Sequence, residues 1–240
     1  MKDTKIRLFV DQALSNGQTL SLSAGQAQYL YAVMRQRAGD AVRVFNGLDG
    51  EWRAQIETLG KRNGVLRAAQ QLRVQTTNPD VWLCFAPLKK ARMDMVVEKA
   101  TELGVTRLVP VITEYTNSER LRLDRMQAQA VEAAEQCGAL IVPKVDQPKA
   151  LQDMLKAWPD GRALVFCDEA LAGQSGVNFA DAPAPVAILV GPEGGFAPKE
   201  RAQLAGFPGA VPVALGPRIL RAETAALAAL ALWHAQSGAW

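Results

Sequence analysis

In the first third of the chain, short apolar stretches alternate with turn residues. Ile6 to Val10, Thr19 to Leu22, Ala41 to Phe45, Glu51 to Ile56 and Val65 to Val74 each carry the bias of a strand and are bounded by glycine or polar residues. Asn46-Gly47-Leu48-Asp49-Gly50 reads as a hairpin loop. One helix breaks the series. Ser23-Ala24-Gly25-Gln26 has the form of a capping box, and Ala27, Leu30, Tyr31 and Met34 follow at helical spacing. A small β-barrel with a single helix satisfies this pattern. The polar run Gln75-Thr76-Thr77-Asn78-Pro79 then reads as a linker, so domains are expected at 1–75 and 80–240.

From Asp80 the period changes. Val81 to Phe85 is a solid apolar run, and Met93, Val96, Val97, Ala100 and Leu103 then recur at helical spacing up to Gly104. Leu108 to Ile112, the helix Asp124 to Cys137 closed by Gly138, Ile141 to Val145, Leu151 to Trp158 and Ala163 to Cys167 continue the alternation. Val186 to Val190 and Val211 to Leu215 are two more buried strands, and Ala222 to about Gln236 is a last helix. Such alternation predicts an α/β domain, a mostly parallel sheet with helices on both faces. The last helix is apolar all round from Ala225 to Trp233, so it is expected either to be wholly buried or to lie partly against a second copy.

Composition narrows the function. The longest apolar run, Ala225 to Trp233, is too short to span a membrane, and Met1-Lys2-Asp3-Thr4-Lys5 leads into no signal core, so a cytoplasmic protein is expected. Cys84, Cys137 and Cys167 stand far apart and His234 is the only histidine, which argues against a metal site. The cysteines read as buried free thiols and His234 as structural. Charge is uneven. Residues 1–78 hold 11 Lys and Arg against 6 Asp and Glu, a net +5, while the remainder holds 16 against 18, a net −2. A basic first domain fits contact with a phosphate backbone, or mere solubilising surface.

Two glycine-bearing segments follow the last two strands: Gly191-Pro192-Glu193-Gly194-Gly195-Phe196 and Leu215-Gly216-Pro217-Arg218-Ile219-Leu220-Arg221-Ala222-Glu223-Thr224-Ala225. Loops at the carboxyl ends of neighbouring strands make a ligand crevice. Neither is a phosphate cradle, since both lack G-x-x-x-x-G-K-[ST] and G-x-G-x-x-G. Glu193 would repel a polyphosphate, so a neutral or cationic nucleoside suits the crevice better.

Together with Lys89 to Val105 and Glu132 to Gly138, these two segments resemble the RsmE-type 16S rRNA (uracil-N3)-methyltransferases of the knotted SPOUT superfamily. The resemblance implies a C-terminal domain with a trefoil knot, a PUA-like RNA-binding barrel before it, S-adenosyl-L-methionine as donor, and 16S rRNA of the 30S subunit as substrate. It further implies a homodimer whose interface includes the last helix. On this reading Gly191, Gly194, Gly195, Leu215, Gly216, Ile219, Leu220 and Thr224 hold the donor, with Asp168-Glu169 supplying a third wall. Arg221 and Glu223 are the catalytic candidates, the first to stabilise charge on the uracil oxygens and the second to take the proton or orient Arg221. For Glu223 the plainer alternative is a carboxylate in a helix first turn. Arg35, Arg37, Lys89, Lys90 and Arg218 are assigned to RNA, against the plain reading of solvated charges. Glu135-Gln136 match the family's E-Q pair, but Gly138 is followed by Ala139-Leu140-Ile141 where relatives continue with arginine. Another RNA target, in tRNA or 23S rRNA, or an inactive RNA-binding protein, are the competing readings.

Overall fold

The computed structural model describes residues 4–117, 121–174, 179 and 182–238, with Lys90 placed in its backbone only. The chain separates into two compact units. One comprises Met1–Thr77 together with Ala134–Ile141, the other Asn78–Ala133 and Val142–Trp240. Residues 134–141, expected from the sequence in the second domain, therefore belong with the first.

The first unit is a curled five-stranded sheet. Its strands are β1 (Arg7–Phe9), β2 (Thr19–Ser21), β3 (Ala41–Phe45), β4 (Glu51–Leu59) and β5 (Gly64–Arg73), in the order β1-β3-β4-β5-β2. β1 runs parallel to β3 and the other pairs are antiparallel. Leu8, Leu20, Leu30, Val42, Val44, Ile56 and Leu66 fill the inside of the curl. The outer strands β1 and β2 meet through the Gln12 side chain, which donates to the Ser21 carbonyl at 3.1 Å and accepts from the Ser21 amide at 2.8 Å. The buried Arg7 donates to the carbonyls of Ala134, Glu135 and Ala139 at 2.5, 3.0 and 2.7 Å, and to Glu51 at 2.5 Å. Glu135 in turn accepts the Phe9 amide at 2.8 Å.

Helix α1 (Ala24–Gln28) has the capping box expected from the sequence, Ser23 Oγ accepting from the Gln26 amide at 3.2 Å and Gln26 Oε1 from the Ser23 amide at 3.0 Å. It then widens into a π-turn at Tyr29–Val33, where the Met34 amide reaches back to the Tyr29 carbonyl at 2.9 Å. The extra residue in that turn rotates its neighbours about the helix axis. Ala27 and Leu30 stay buried, whereas Tyr31, expected on the same face, is exposed.

The second unit is built on β6 (Val81–Phe85), β7 (Arg107–Ile112), β8 (Lys144–Val145), β9 (Lys149–Ala150), β10 (Ala163–Cys167), β11 (Val186–Val190) and β12 (Ala210–Val213). They are ordered β12-β10-β11-β6-β7-β8, with β9 also on β7, and each pairing is parallel. Its helices are α2 (Lys90–Glu102), α3 (Leu123–Cys137, whose last residues belong to the first unit), α4 (Leu151–Lys156), α5 (Pro198–Ala205) and α6 (Ala222–Ser237). The strands bury both faces, which is why they read as solid apolar runs. Val81, Leu83 and Phe85 of β6 with Val186, Ile188 and Val190 of β11 pack under α2 and α6. Cys84, Ala187, Leu189, Leu164 and Phe166 pack on the opposite side with Leu151 and Leu155 of α4 and Leu204 of α5.

Helix α6 is mostly buried within one chain. Ala222, Ala225, Ala226, Ala229, Leu230 and Trp233 lie in the core, Trp233 Nε1 donates to the Ala182 carbonyl at 2.8 Å, and His234 Nε2 lies 2.7 Å from the Leu103 carbonyl. A stripe of Leu227, Ala228, Ala231 and Leu232 remains half-buried. Among the described residues no helix is long and apolar enough to cross a membrane, and no group of three His, Cys, Asp or Glu stands close enough to hold a metal ion.

Candidate active site

Because β10, β11 and β12 run parallel, their carboxyl ends open on one edge of the sheet, and the loops beyond them enclose a cleft of about 480 Å³, its open mouth included. Much of that volume is open mouth, so the cleft is shallow as it stands. Cys167, Asp168, Glu169 and Ala172 line it from β10; Val190, Gly191 and Pro192 from β11; Val213, Leu215, Gly216, Arg218, Ile219 and Leu220 from β12; Ala222 and Ala225 from the start of α6.

The loop after β12 leaves its own backbone unsatisfied. Among the described residues, the amides of Leu215, Gly216, Arg218, Ile219 and Leu220 donate to no protein acceptor; the loop is anchored by its Gly216 carbonyl, which accepts from Gly173 at 3.2 Å. Gly216 sits at φ +104°, a conformation open to glycine and little else. A row of free amides between apolar side chains (Leu215, Ile219, Leu220) suits a flat heterocycle with edge acceptors. The acid side of the cleft is Glu169, together with Asp168, which is buried and already occupied: its Oδ2 accepts from Arg201 Nε at 2.7 Å and its Oδ1 from the Ala170 amide at 3.1 Å. Cys167 and Cys84 are buried thiols pushed up to about 12 by burial, so Cys167 lines the cleft as a protonated, unreactive group. Cys137, expected buried, is exposed on the last turn of α3.

The loop after β11 behaves differently. Gly191 lines the cleft, but Gly194 and Gly195 do not. The Gly195 amide turns back to the Pro192 carbonyl at 2.9 Å. Gly195 has φ +70°, and a Cβ there would fall 1.6 Å from Glu169 Oε1; one on Gly194 would fall 3.3 Å from Tyr115 Cβ. Gly195 thus stands against Glu169, which lines the cleft, and Gly194 packs on Tyr115. Glu193 points away from the cleft, as its Oε1 accepts from Arg92 Nη1 at 2.5 Å. The carboxylate read as repelling polyphosphates is thus neutralised by a cation, as is Asp168 by Arg201, and Glu169 takes over that task.

Of the remaining expected residues, Arg221 is the exposed N-cap of α6 at the rim, and Thr224 is exposed on the helix; neither lines the cleft. Glu223 is 7% exposed and does not meet Arg221. Its Oε1 lies 3.6 Å from Arg92 Nε, and its Oε2 is buried with no hydrogen-bond partner. Arg92 and Arg201 are the cations that sequence reasoning missed as site-builders. Arg92 had one signal, since a cation in a helix first turn opposes the helix dipole and calls for a local reason. Arg201 had none. Lys89 is exposed as the N-cap of α2, and the side chain of Lys90 lies outside what the structure describes. Arg35 and Arg37 are exposed in the first unit, Arg35 in the left-handed region at φ +53°.

Known proteins share this arrangement. A family model for an RNA methyltransferase domain matches residues 76–234, and one for an RNA methyltransferase PUA domain matches residues 22–68. The ribosomal RNA small subunit methyltransferase E of Rickettsia conorii is 31% identical over 229 residues, covering 94% of this chain and 93% of its own. That of Synechocystis is 34% identical over 220 residues, covering 89% and 72%. The crystal structure of a ribosomal RNA small subunit methyltransferase E from Neisseria gonorrhoeae bound to S-adenosyl methionine superposes with a TM-score of 0.86, at 30% identity, over 96% of this chain and 97% of that one. The chain belongs to the ribosomal RNA small subunit methyltransferase E family.

The stretch after α3 is held by side chains of the first unit: the carbonyls of Gly138 and Ala139 are taken by Arg73 at 2.8 Å and Arg7 at 2.7 Å. The E-Q pair is likewise structural at its first member, through the Phe9 amide on Glu135.

Proposed function

We propose that the chain methylates N3 of a uridine in 16S rRNA of the small ribosomal subunit, in the cytoplasm, with S-adenosyl-L-methionine as donor and as a homodimer. The observation that carries this reading is the loop after β12, whose five residues with unengaged amides all line the cleft at the head of α6. The residues present fit the donor: Leu215, Ile219 and Leu220 with the free amides for the adenine, and the Glu169 carboxylate for hydroxyl or ammonium groups. When bound, S-adenosyl-L-methionine supplies an electrophilic methyl group on a sulfonium.

The chain's own part is to hold the base, remove a proton and stabilise charge. Uracil N3–H is a weak acid, so reaction at neutral pH needs a base or strong stabilisation of the anion. Arg221, free at the rim, presents its planar fork to the uracil oxygens. Glu223 is assigned to take the N3 proton or orient Arg221, which requires its buried Oε2, an acceptor without a donor, to be uncovered when the base binds. Gly194, Gly195 and Thr224 act beside the donor rather than on it. Arg35, Arg37, Lys89, Lys90 and Arg218 are assigned to the RNA backbone, in keeping with the basic first domain. The half-buried stripe Leu227, Ala228, Ala231 and Leu232 is the surface assigned to the second copy.

The decisive experiment incubates the protein with 30S subunits from a strain lacking this modification and methyl-labelled donor. Nuclease digestion and mass spectrometry should find the label as N3-methyluridine in 16S rRNA. Label on ribose, on a guanine, or in tRNA would replace the proposed target.

A further inference from the structure

Arg92 stands where α2, the loop after β11 and α6 come together, and two carboxylates of opposite burial share it. Its Nη1 donates to the exposed Glu193 at 2.5 Å, and its Nε lies 3.6 Å from the buried Glu223. A guanidinium in the first turn of α2 is on the unfavourable end of the helix dipole, so the helix does not account for it. The partners do. Without the cation between them, two carboxylates would face each other, and Glu223 would be left buried with neither oxygen paired. Glu193 belongs to the same tight turn as Gly191 and Pro192, which line the cleft. Glu223 comes directly after Ala222, which lines it from the other side.

We propose that Arg92 is a positioning residue that couples the cleft wall after β11 to Glu223, so that the wall's closed turn and the seating of the carboxylate depend on each other. The proposal rests on the functional reading above for what Glu223 does, but the coupling is a property of the protein without ligand. Arg serves and Lys does not, because one planar fork reaches both carboxylates while a point charge on a flexible stem reaches one.

The test is a double-mutant cycle on the intact protein, with Arg92→Ala, Glu193→Gln, the pair together, and Arg92→Lys. Three readouts are taken: amide hydrogen exchange at Gly195 in the ligand-free protein, donor affinity by calorimetry, and turnover on 30S subunits. Arg92→Ala should speed exchange at Gly195 at least tenfold, weaken donor binding at least threefold and cut turnover at least tenfold. Arg92→Lys should recover only part of each. The double variant should exchange and bind no worse than Arg92→Ala alone. Exchange and donor affinity that stay at wild-type values in Arg92→Ala, or losses that simply add, would overturn the coupling. Should Arg92→Ala fail to fold, Glu193→Gln on its exposed turn decides the matter, because unchanged Gly195 exchange in that variant overturns it too. A wild-type protein that leaves 30S subunits unlabelled refutes the functional reading, whereas the exchange measurement still judges Arg92.

Discussion

The two glycine loops of the cleft look alike in sequence and are opposites in structure. The loop after β11 is closed on itself: Gly195 bonds back to Pro192, Glu193 is held by Arg92, and the next helix is capped by Glu200 Oε2 on the Ala197 amide at 3.1 Å. The loop after β12 is open, with five unengaged amides and Ile219 74% exposed. Among the described residues both loops leave amides without a protein acceptor, those of Gly191, Glu193, Gly194 and Phe196 in the first. What separates them is the turn bond and the Arg92 clamp in one and the exposure of the other. One loop shapes the cleft and the other is left to bind.

The sharpest test of that contrast lies at the end of the open loop. Arg221→Ala should cut turnover on 30S subunits by roughly two to three orders of magnitude, the usual loss when a charge-stabilising group is removed. Donor affinity should move far less, and Arg221→Lys should rescue only in part. Near-wild-type turnover in Arg221→Ala would move the chemistry away from this loop.

The next test compares two glycines at positive φ. Gly195→Val meets both a left-handed φ and the Glu169 carboxylate, so it should lower the thermal midpoint and weaken donor binding at least tenfold, about 1.4 kcal/mol. Gly216→Ala has open space around it and should show the backbone strain alone, on the order of 1–3 kcal/mol. Equal effects on stability and affinity in a thermal melt and calorimetry would erase the distinction between wall and binding loop.

Helix α6 has a buried side and a half-buried one. Leu227→Glu, on the half-buried stripe, should shift the protein from dimer to monomer in sedimentation with little loss of monomer fold. Leu230→Glu buries a charge in the core and should unfold the chain instead. A wild-type protein that sediments as a monomer at micromolar concentration would end the interface assignment.

The smallest effect concerns His234, which burial holds below the ordinary histidine range against the opposing hydrogen bond to the Leu103 carbonyl. The unfolded chain then binds this proton more readily than the native one, so stability rises with pH through the histidine range and is lost as pH falls from about 6.5. In His234→Gln, urea melts at pH 7.5 and 5.5 should differ less than in the wild type.

Much of this architecture was legible because both faces of the second sheet are buried, which turns its strands into solid runs such as Val186 to Val190. The cleft lining from Gly191 and from Leu215 to Leu220 was legible from its place just past strand ends. Gly194 and Gly195 fall just outside that lining, Gly195 held in its turn by the Pro192 carbonyl. Tyr31 misled because the π-turn inserts one residue without altering composition. Glu193 and Glu223 meet in Arg92, 101 residues before the former in the chain, and no local pattern encodes so distant a partner.

The order of the sheet has a consequence for how the protein comes to life on the ribosome. β12 sits at the edge beside β10, and α6 packs back on α2, more than a hundred residues earlier. A nascent chain that has emerged as far as β11 can assemble β6, β7, β10 and β11, yet has neither the open loop nor the helix that closes the cleft. Contacts of such sequence separation form slowly. Donor binding is therefore acquired late, and its onset marks a chain in which β12 and α6 have been made and have folded.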